Sequence, residues 1–294
     1  MKVFLAGGTG VVGMRALPAL VAAGHQVTAL ARSDDKAAVV QRLGGRAARV
    51  DLFDAAMVKD AVDGHEAVVN LATSIPPMRK AVRSSAWAMN ERIRSDGCSN
   101  LVAAARATGA MRYVQESICF PYVDAGAAWV TEDSPLDYPD GYKAAASAEA
   151  AALGFAAAAG VGVVLRFAQF YAPEASHTQT FTALLRKRIN PFIGKAGAYA
   201  SFIHAEDAAS AVVVALTLPT GTYNVGDDTP MTRLEAGVAA AAAMGLKRPW
   251  RVPGSGITPG RVEMLGRSVR VANAKLASFG WAPTYPSIAE GWGR

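Results

Sequence analysis

The chain has 294 residues, 51% of them hydrophobic and 18% charged, which provides for a large buried core and excludes a disordered polymer. The formal net charge is +6, but the basic residues are scattered apart from Arg186-Lys187-Arg188, and the basic stripes interleaved with aromatics that mark nucleic-acid binders are missing. Dispersed histidines and two cysteines, Cys98 and Cys119, exclude a zinc constellation, so no metal site is expected and both thiols read as buried small hydrophobes.

The first element is a strand over Lys2–Ala6 that breaks into Gly7-Gly8-Thr9-Gly10-Val11-Val12-Gly13. A strand, a glycine turn and a helix start present backbone N–H groups and the positive end of a helix dipole to a phosphate. Gly7 serves the tight turn, Gly10 the approach of a pyrophosphate, and Gly13 close packing of helix on strand. Thr9, Val11 and Val12 complete this cradle.

A helix over Val11–Ala23 follows, then strands Gln26–Leu30 and Ala47–Val50 around a helix over Lys36–Leu43. A helix over Ala55–Val62 precedes a strand over Ala67–Leu71. The segment Trp87–Thr108 reads as one long helix, and Arg112–Gln115 as the fifth strand. An Ala-rich helix covers Tyr142–Ala159 with Asp140 as its N-cap, and Gly162–Arg166 is the sixth strand. Gly24, Gly44 and Gly160 follow helices in the position that takes a positive φ. Strands alternating with helices predict an α/β fold, a Rossmann-type doubly wound parallel sheet.

Beyond Tyr171 the alternation loosens. Helical segments at Met231–Met244 and Asn273–Phe279 flank a proline- and glycine-rich stretch over Arg248–Gly260. The expected division is a nucleotide-binding domain over 1–170 and a smaller substrate lobe over 171–294, interleaved with the sheet domain. The apolar start is interrupted by turn glycines and Arg15, and Ala150–Leu165 is too short to span a bilayer, so a cytoplasmic protein without a membrane partner is expected.

Dinucleotide specificity is read after the second strand, where an acidic residue selects the ribose hydroxyls and an arginine accommodates a 2′-phosphate. Arg32-Ser33 stands there, offering charge-assisted hydrogen bonds, with Asp34 and Asp35 displaced into the next helix cap. NADP(H) is therefore the expected cofactor. Asp51-Leu52 is placed to receive the adenine, and Leu71-Ala72-Thr73 passes where the nicotinamide ribose would lie.

These motifs resemble the extended short-chain dehydrogenases/reductases, the group that includes NAD(P)-dependent epimerases and dehydratases. The resemblance runs through Gly97-Cys98-Ser99-Asn100-Leu101, Arg166-Phe167-Ala168-Gln169-Phe170-Tyr171-Ala172-Pro173, Phe202-Ile203-His204-Ala205-Glu206-Asp207, Tyr223-Asn224-Val225-Gly226 and Gly280-Trp281-Ala282-Pro283. It implies a catalytic hydroxyl at Ser117 and a general acid/base at Tyr142. Beside these, Tyr122 is read from the sequence as a further hydroxyl near the nicotinamide, and Glu116 as a base if it turns inward or else as a charge that faces solvent or pairs with an arginine. His204 falls on a family position with a structural or pocket-lining role. The implied lysine, four residues after the tyrosine, is replaced by Ala146.

Lys143 adjoins Tyr142, but neighbours on a helix diverge by about 100°, so it does not take the missing place. Aligning Tyr138 instead puts Tyr142 on the lysine position and does not restore the pair. Without the lysine, a tyrosine with an ordinary pKa of about 10 is a poor base, though still a proton donor.

Three functions remain open: an NADP(H)-dependent oxidoreductase acting on a small carbonyl or hydroxyl compound, an epimerase, dehydratase or other non-redox enzyme, and a non-catalytic NADP sensor. The partner expected is a small-molecule substrate. Arg186, Arg188, Lys195 and Arg261 are the residues a nucleotide-sugar reading would use, and the helices from Trp87 and Tyr142 are where the resemblance places a homodimer interface.

Overall fold

Strand β1 (Lys2–Ala6) is completely apolar after its first residue and lies buried at the middle of the molecule. Around it the computed structural model of the chain describes every residue except 78, 79, 81, 82, 140, 141, 159 and 253–259, and gives no side chains for 84, 157, 158 and 260–262. The expected cap at Asp140 lies outside the described residues.

The first half runs α1 (Gly13–Ala22), β2 (Gln26–Ala31), α2 (Asp34–Arg42), β3 (Arg46–Arg49), α3 (Ala55–Val62) and β4 (Ala67–Asn70). It continues with α4 (Ala88–Arg92), α5 (Cys98–Ala107), β5 (Arg112–Ile118), β6 (Trp129–Val130), α6 (Lys143–Leu153) and β7 (Val161–Phe167). The remainder comprises β8 (Gln169–Tyr171), α7 (Ser176–Arg186), β9 (Tyr199–Ala200), β10 (Phe202–His204), α8 (Ala205–Ala215) and β11 (Gly221–Val225). After these come β12 (Met231–Thr232), α9 (Arg233–Ala243), β13 (Arg270–Val271), α10 (Ala274–Ala277) and α11 (Ile288–Gly291).

Seven strands form one parallel sheet in the order β11-β7-β5-β4-β1-β2-β3. The order reverses at β1, between β2 and β4, and a crevice opens beyond the carboxyl ends of strands at such a point. One apolar cluster, with Leu17, Leu20, Ala208 and Val212, covers one side of the sheet; a second, with Val58, Leu101, Val102 and Ala152, covers the other. Near-continuous apolar strands such as Val161–Phe167 are what burial on both faces demands.

Two expectations are corrected here. The segment read as one helix from Trp87 is a 3₁₀ turn at Ser84–Trp87, then α4, a π-helical turn at Ile93–Gly97, and α5. Buried residues keep nearly helical spacing through the π turn (Asn90, Ile93, Arg94, Gly97, Cys98, Leu101), so hydrophobic period does not reveal it. Gly24 and Gly44 have φ of 84° and 86°, whereas Gly160 is not in the left-handed region. A Cβ at Gly160 would lie 2.4 Å from the Phe155 ring, so that glycine answers a shortage of space.

The C-terminal part is threaded into the sheet domain: β11 pairs with β7, and α8 packs on α1. A third apolar cluster, with Phe181, Phe192, Phe202, Ala236, Ala240 and Trp292, forms the core of the lobe that overhangs the crevice. Among the described residues, no helix is long and apolar enough to cross a membrane.

Candidate active site

The glycine turn follows β1 directly at the crevice. Gly7 has φ of 84°, and a Cβ there would stand 2.4 Å from the Leu71 carbonyl, so β4 closes tightly against the turn. A Cβ on Gly13 would stand 2.1 Å from the Gly7 oxygen, which makes the first residue of α1 dependent on glycine. The Gly10 amide donates to the Gly7 carbonyl at 3.0 Å and so holds the turn itself. The amides of Val11 and Val12 have no backbone acceptor among the described residues. Free amides at a helix start, in a cradle that side chains would fill, fit the pyrophosphate of a dinucleotide.

Arg32 and Ser33 follow β2, beside β1, and both are exposed. Ser33 caps α2, its Oγ accepting from the Lys36 amide at 3.4 Å, which leaves its own hydroxyl proton free to donate. Asp34 is held by Arg49 at 2.6 Å. That pairing turns its carboxylate toward β3. Asp51 accepts from the Phe53 amide at 3.0 Å, and the Leu52 carbonyl accepts from Asn100 at 3.0 Å. The Ala72 amide is held by Asn70 Oδ1 at 3.1 Å.

A cleft of about 490 Å³ extends from the glycine turn under the C-terminal lobe. Of the cofactor residues expected from sequence, Gly10, Val11, Val12, Gly13, Leu71 and Thr73 line it; Gly7, Thr9, Arg32, Ser33, Asp51, Leu52 and Ala72 do not. Its further wall is dominated by apolar and aromatic side chains, including Ile75, Trp87, Phe120, Phe167, Phe170 and Phe192. Arg186, Arg188 and Lys195 are absent from that wall, and the Arg261 side chain lies outside the described residues.

The three expected catalytic hydroxyls separate. Tyr142 lies at the start of α6, lines the cleft, and packs its ring 5.8 Å from that of Trp87. Lys143 is exposed, as the divergence of helical neighbours requires. Ser117 is completely buried and does not line the cleft; its Oγ donates to Glu149 Oε1 at 2.5 Å. Tyr122 is buried in the same network, its hydroxyl donating to Asn224 Oδ1 at 2.8 Å and accepting from Arg166 Nη1 at 2.9 Å.

Arg166 completes that network by pairing with Glu149 at 2.6 Å. Burial pushes the Tyr122 phenol well above its ordinary value, against the pull of Arg166. Burial works against the charge on Arg166, but Glu149 overcomes it and fixes the guanidinium as a cation. Through these bonds the network ties β5, α6, β7 and β11 together, with the Asn224 amide nitrogen left unpaired among the described residues. His204 is also structural: it caps α8, its Nδ1 accepting from the Glu206 amide at 3.3 Å.

Three charged side chains of the cleft, Arg94, Glu116 and Arg233, are removed from water, and the first two pair with each other. Glu116, on the other side of β5 from Ser117, accepts from Arg94 Nη2 at 2.8 Å through each of its oxygens. The side chains of Arg94 and Glu116 are only 4% and 7% exposed. Burial raises the Glu116 pKa, and Arg94 opposes the rise. Glu116 has thus turned inward and paired with an arginine. Arg94 is the residue that sequence reasoning missed, because its partner is 22 positions away and its orientation depends on the π turn.

Comparison with known proteins agrees with this geometry. A curated Streptomyces protein named 3-diazoavenalumate denitrifying reductase is 33% identical over an alignment of 310 residues that covers the full length of both chains. UDP-glucose 4-epimerase from Thermus thermophilus, solved with NAD, superposes with a TM-score of 0.77 at 24% identity, covering 99% of this chain and 96% of that one. Human epimerase family protein SDR39U1, solved with NADPH, gives 0.78 at 20% identity, covering 99% and 98%. The description "NAD dependent epimerase/dehydratase family" matches residues 3–226. With the parallel sheet, the glycine turn at its switch point and a relative matched end to end, the chain belongs to the NAD dependent epimerase/dehydratase family.

Proposed function

We propose that the protein is an NADP(H)-dependent reductase acting on a small, largely apolar organic compound. The observation that carries this reading is the continuity of the cleft: one cavity joins the free amides after Gly10 to a wall of aromatic and aliphatic side chains. A nucleotide sugar needs a polar partner for most of its hydroxyls, and this wall offers few. The full-length relative is by name a reductase, which supports reduction over epimerisation.

On this reading the turn from Gly10 to Gly13 takes the pyrophosphate, and Arg32 with the Ser33 hydroxyl takes the 2′-phosphate. Leu71 and Thr73 flank the nicotinamide side of the crevice. When bound, the nicotinamide supplies a hydride. Tyr142 supplies the proton from its phenol to the oxygen that accepts negative charge, a task that needs no lowered pKa, and the proton is restored from solvent. Ser117, Glu149 and Arg166 hold the floor beneath α6.

The test is to titrate NADPH and NADH, then follow nicotinamide absorbance against a panel of aromatic and aliphatic carbonyl compounds. Oxidation of NADPH with formation of the alcohol is expected. Tight binding of NADPH without turnover across the panel would replace this reading with a sensor, and product formation without net cofactor change would replace it with an isomerising enzyme.

A further inference from the structure

Among the buried polar side chains of the cleft wall, Arg94 is set apart by a donor without a partner. Arg233 also lines the cleft, but its guanidinium donates to the carbonyls of Tyr199, Leu265 and Arg267 at 2.6–3.1 Å. Asn90 Oδ1 is taken by the Ser74 amide at 3.0 Å, and His177 Nε2 meets the Phe170 carbonyl at 2.7 Å. Arg94 spends Nη2 on both oxygens of Glu116, while its Nη1 is buried with no hydrogen-bond partner among the described residues. A buried N–H left unmade is costly, and buried groups of this kind are ordinarily satisfied.

Stability does not require this arrangement. A buried ion pair is often matched or bettered by apolar residues of similar volume. The pair is also carried on the π turn at Ile93–Gly97, and such turns concentrate at functional sites. Glu116 holds the guanidinium through Nη2 and offsets its charge, so Nη1 remains as an unspent donor with little net charge behind it.

We infer that Arg94, positioned by Glu116, donates through Nη1 to a neutral acceptor oxygen on an aromatic substrate whose ring packs against the wall of Trp87, Phe120 and Phe170. This names the substrate class of the site described above and rests on the reductase reading. A carbonyl or amide oxygen satisfies the donor without bringing a second negative charge near Glu116. A carboxylate meets Arg94 but is opposed by Glu116. A hydrocarbon leaves Nη1 unpaired.

Three probes of similar shape separate these cases: cinnamamide, cinnamate and trans-β-methylstyrene, each titrated calorimetrically into the NADP-loaded wild type and Glu116→Gln. The glutamine still accepts from Arg94 but removes the neutralising charge. In the wild type, cinnamamide is expected to bind about tenfold or more tighter than β-methylstyrene, the worth of one bond from a charged donor. In Glu116→Gln the preference moves toward cinnamate by about tenfold relative to cinnamamide, because the cation is now uncompensated.

Equal binding of amide and hydrocarbon to the wild type, no binding of any of the three, or an unchanged cinnamate-to-cinnamamide ratio in Glu116→Gln would each overturn the inference. A purely structural Glu116 alters all three affinities together and leaves their ratios alone. Failure of the reductase reading shows separately, as absence of NADPH oxidation with the ranking of ligands intact.

Discussion

Glu116 and Ser117, neighbours on β5, leave the strand on opposite sides: the carboxylate reaches the cleft, and the hydroxyl goes under α6 to Glu149. Alternation along a strand makes this unavoidable, since side chains one residue apart face opposite ways. Whichever residue serves the cleft, its neighbour serves the packing.

Replacement of Ser117 by alanine is therefore expected to act on stability. The change removes one bond to a buried carboxylate that Arg166 still holds, which costs about 1–3 kcal/mol. Denaturant unfolding should record a lower midpoint, while turnover of the folded enzyme stays close to that of wild type. A large fall in rate at unchanged stability would return Ser117 to the reacting centre.

Tyr142→Phe should do the reverse. Loss of a positioned proton donor lowers turnover by about 10²–10⁴-fold. Affinity for NADPH, measured by fluorescence titration, should change little, because Tyr142 packs against Trp87 and takes no part in the glycine turn. An unaltered rate would transfer proton donation to water or to Glu116.

Cofactor choice turns on Arg32. Its replacement by alanine is expected to weaken NADPH about 10–100-fold, the worth of a charge-assisted contact, and to leave NADH nearly unaffected. Equal losses for both cofactors would show that Arg32 does not read the 2′-phosphate.

Acid sensitivity has a named source in His204. The ring is completely buried, and burial holds its pKa below the ordinary value of about 6.5. The unfolded chain therefore binds the proton more readily than the folded one. Stability from the neutral ring is complete above about pH 6.5 and is lost as pH falls through the folded value. Protonation of Nδ1 also removes the acceptor that caps α8. His204→Asn keeps a capping acceptor and discards the titration, so unfolding midpoints measured from neutral to acid pH should fall less steeply. A residual slope is expected from His177, whose pKa burial also lowers.

Much of the sheet was legible because its signals are local. Strand Lys2–Ala6 and the helix Ala55–Val62 beside the sheet have the bounds expected from apolar runs and turn residues, and the other strands of the first half differ only at their ends. The turn from Gly7 to Gly13 was legible for the same reason. What was not legible depends on contacts distant in sequence. β11 joins the sheet beside β7 from more than fifty residues away, and Glu149 collects Ser117 and Arg166 from two strands. Tyr122 carries a hydroxyl in the right stretch of chain, yet Arg166 and Asn224 draw it into the interior. Residue type identified the candidate hydroxyls; packing decided which of them meets the cleft.

The π turn has a consequence for how this cleft can diversify. Removing one residue from Ile93–Gly97 would restore α-helical phase and rotate the preceding segment by about 100° relative to α5. Asn100, in α5, would keep its hold on the Leu52 carbonyl. Trp87, Asn90 and Arg94, all upstream or within the turn, would be presented anew. A single-codon change in length thus suffices to re-specify the aromatic wall of the cleft while sparing the glycine turn at its other end.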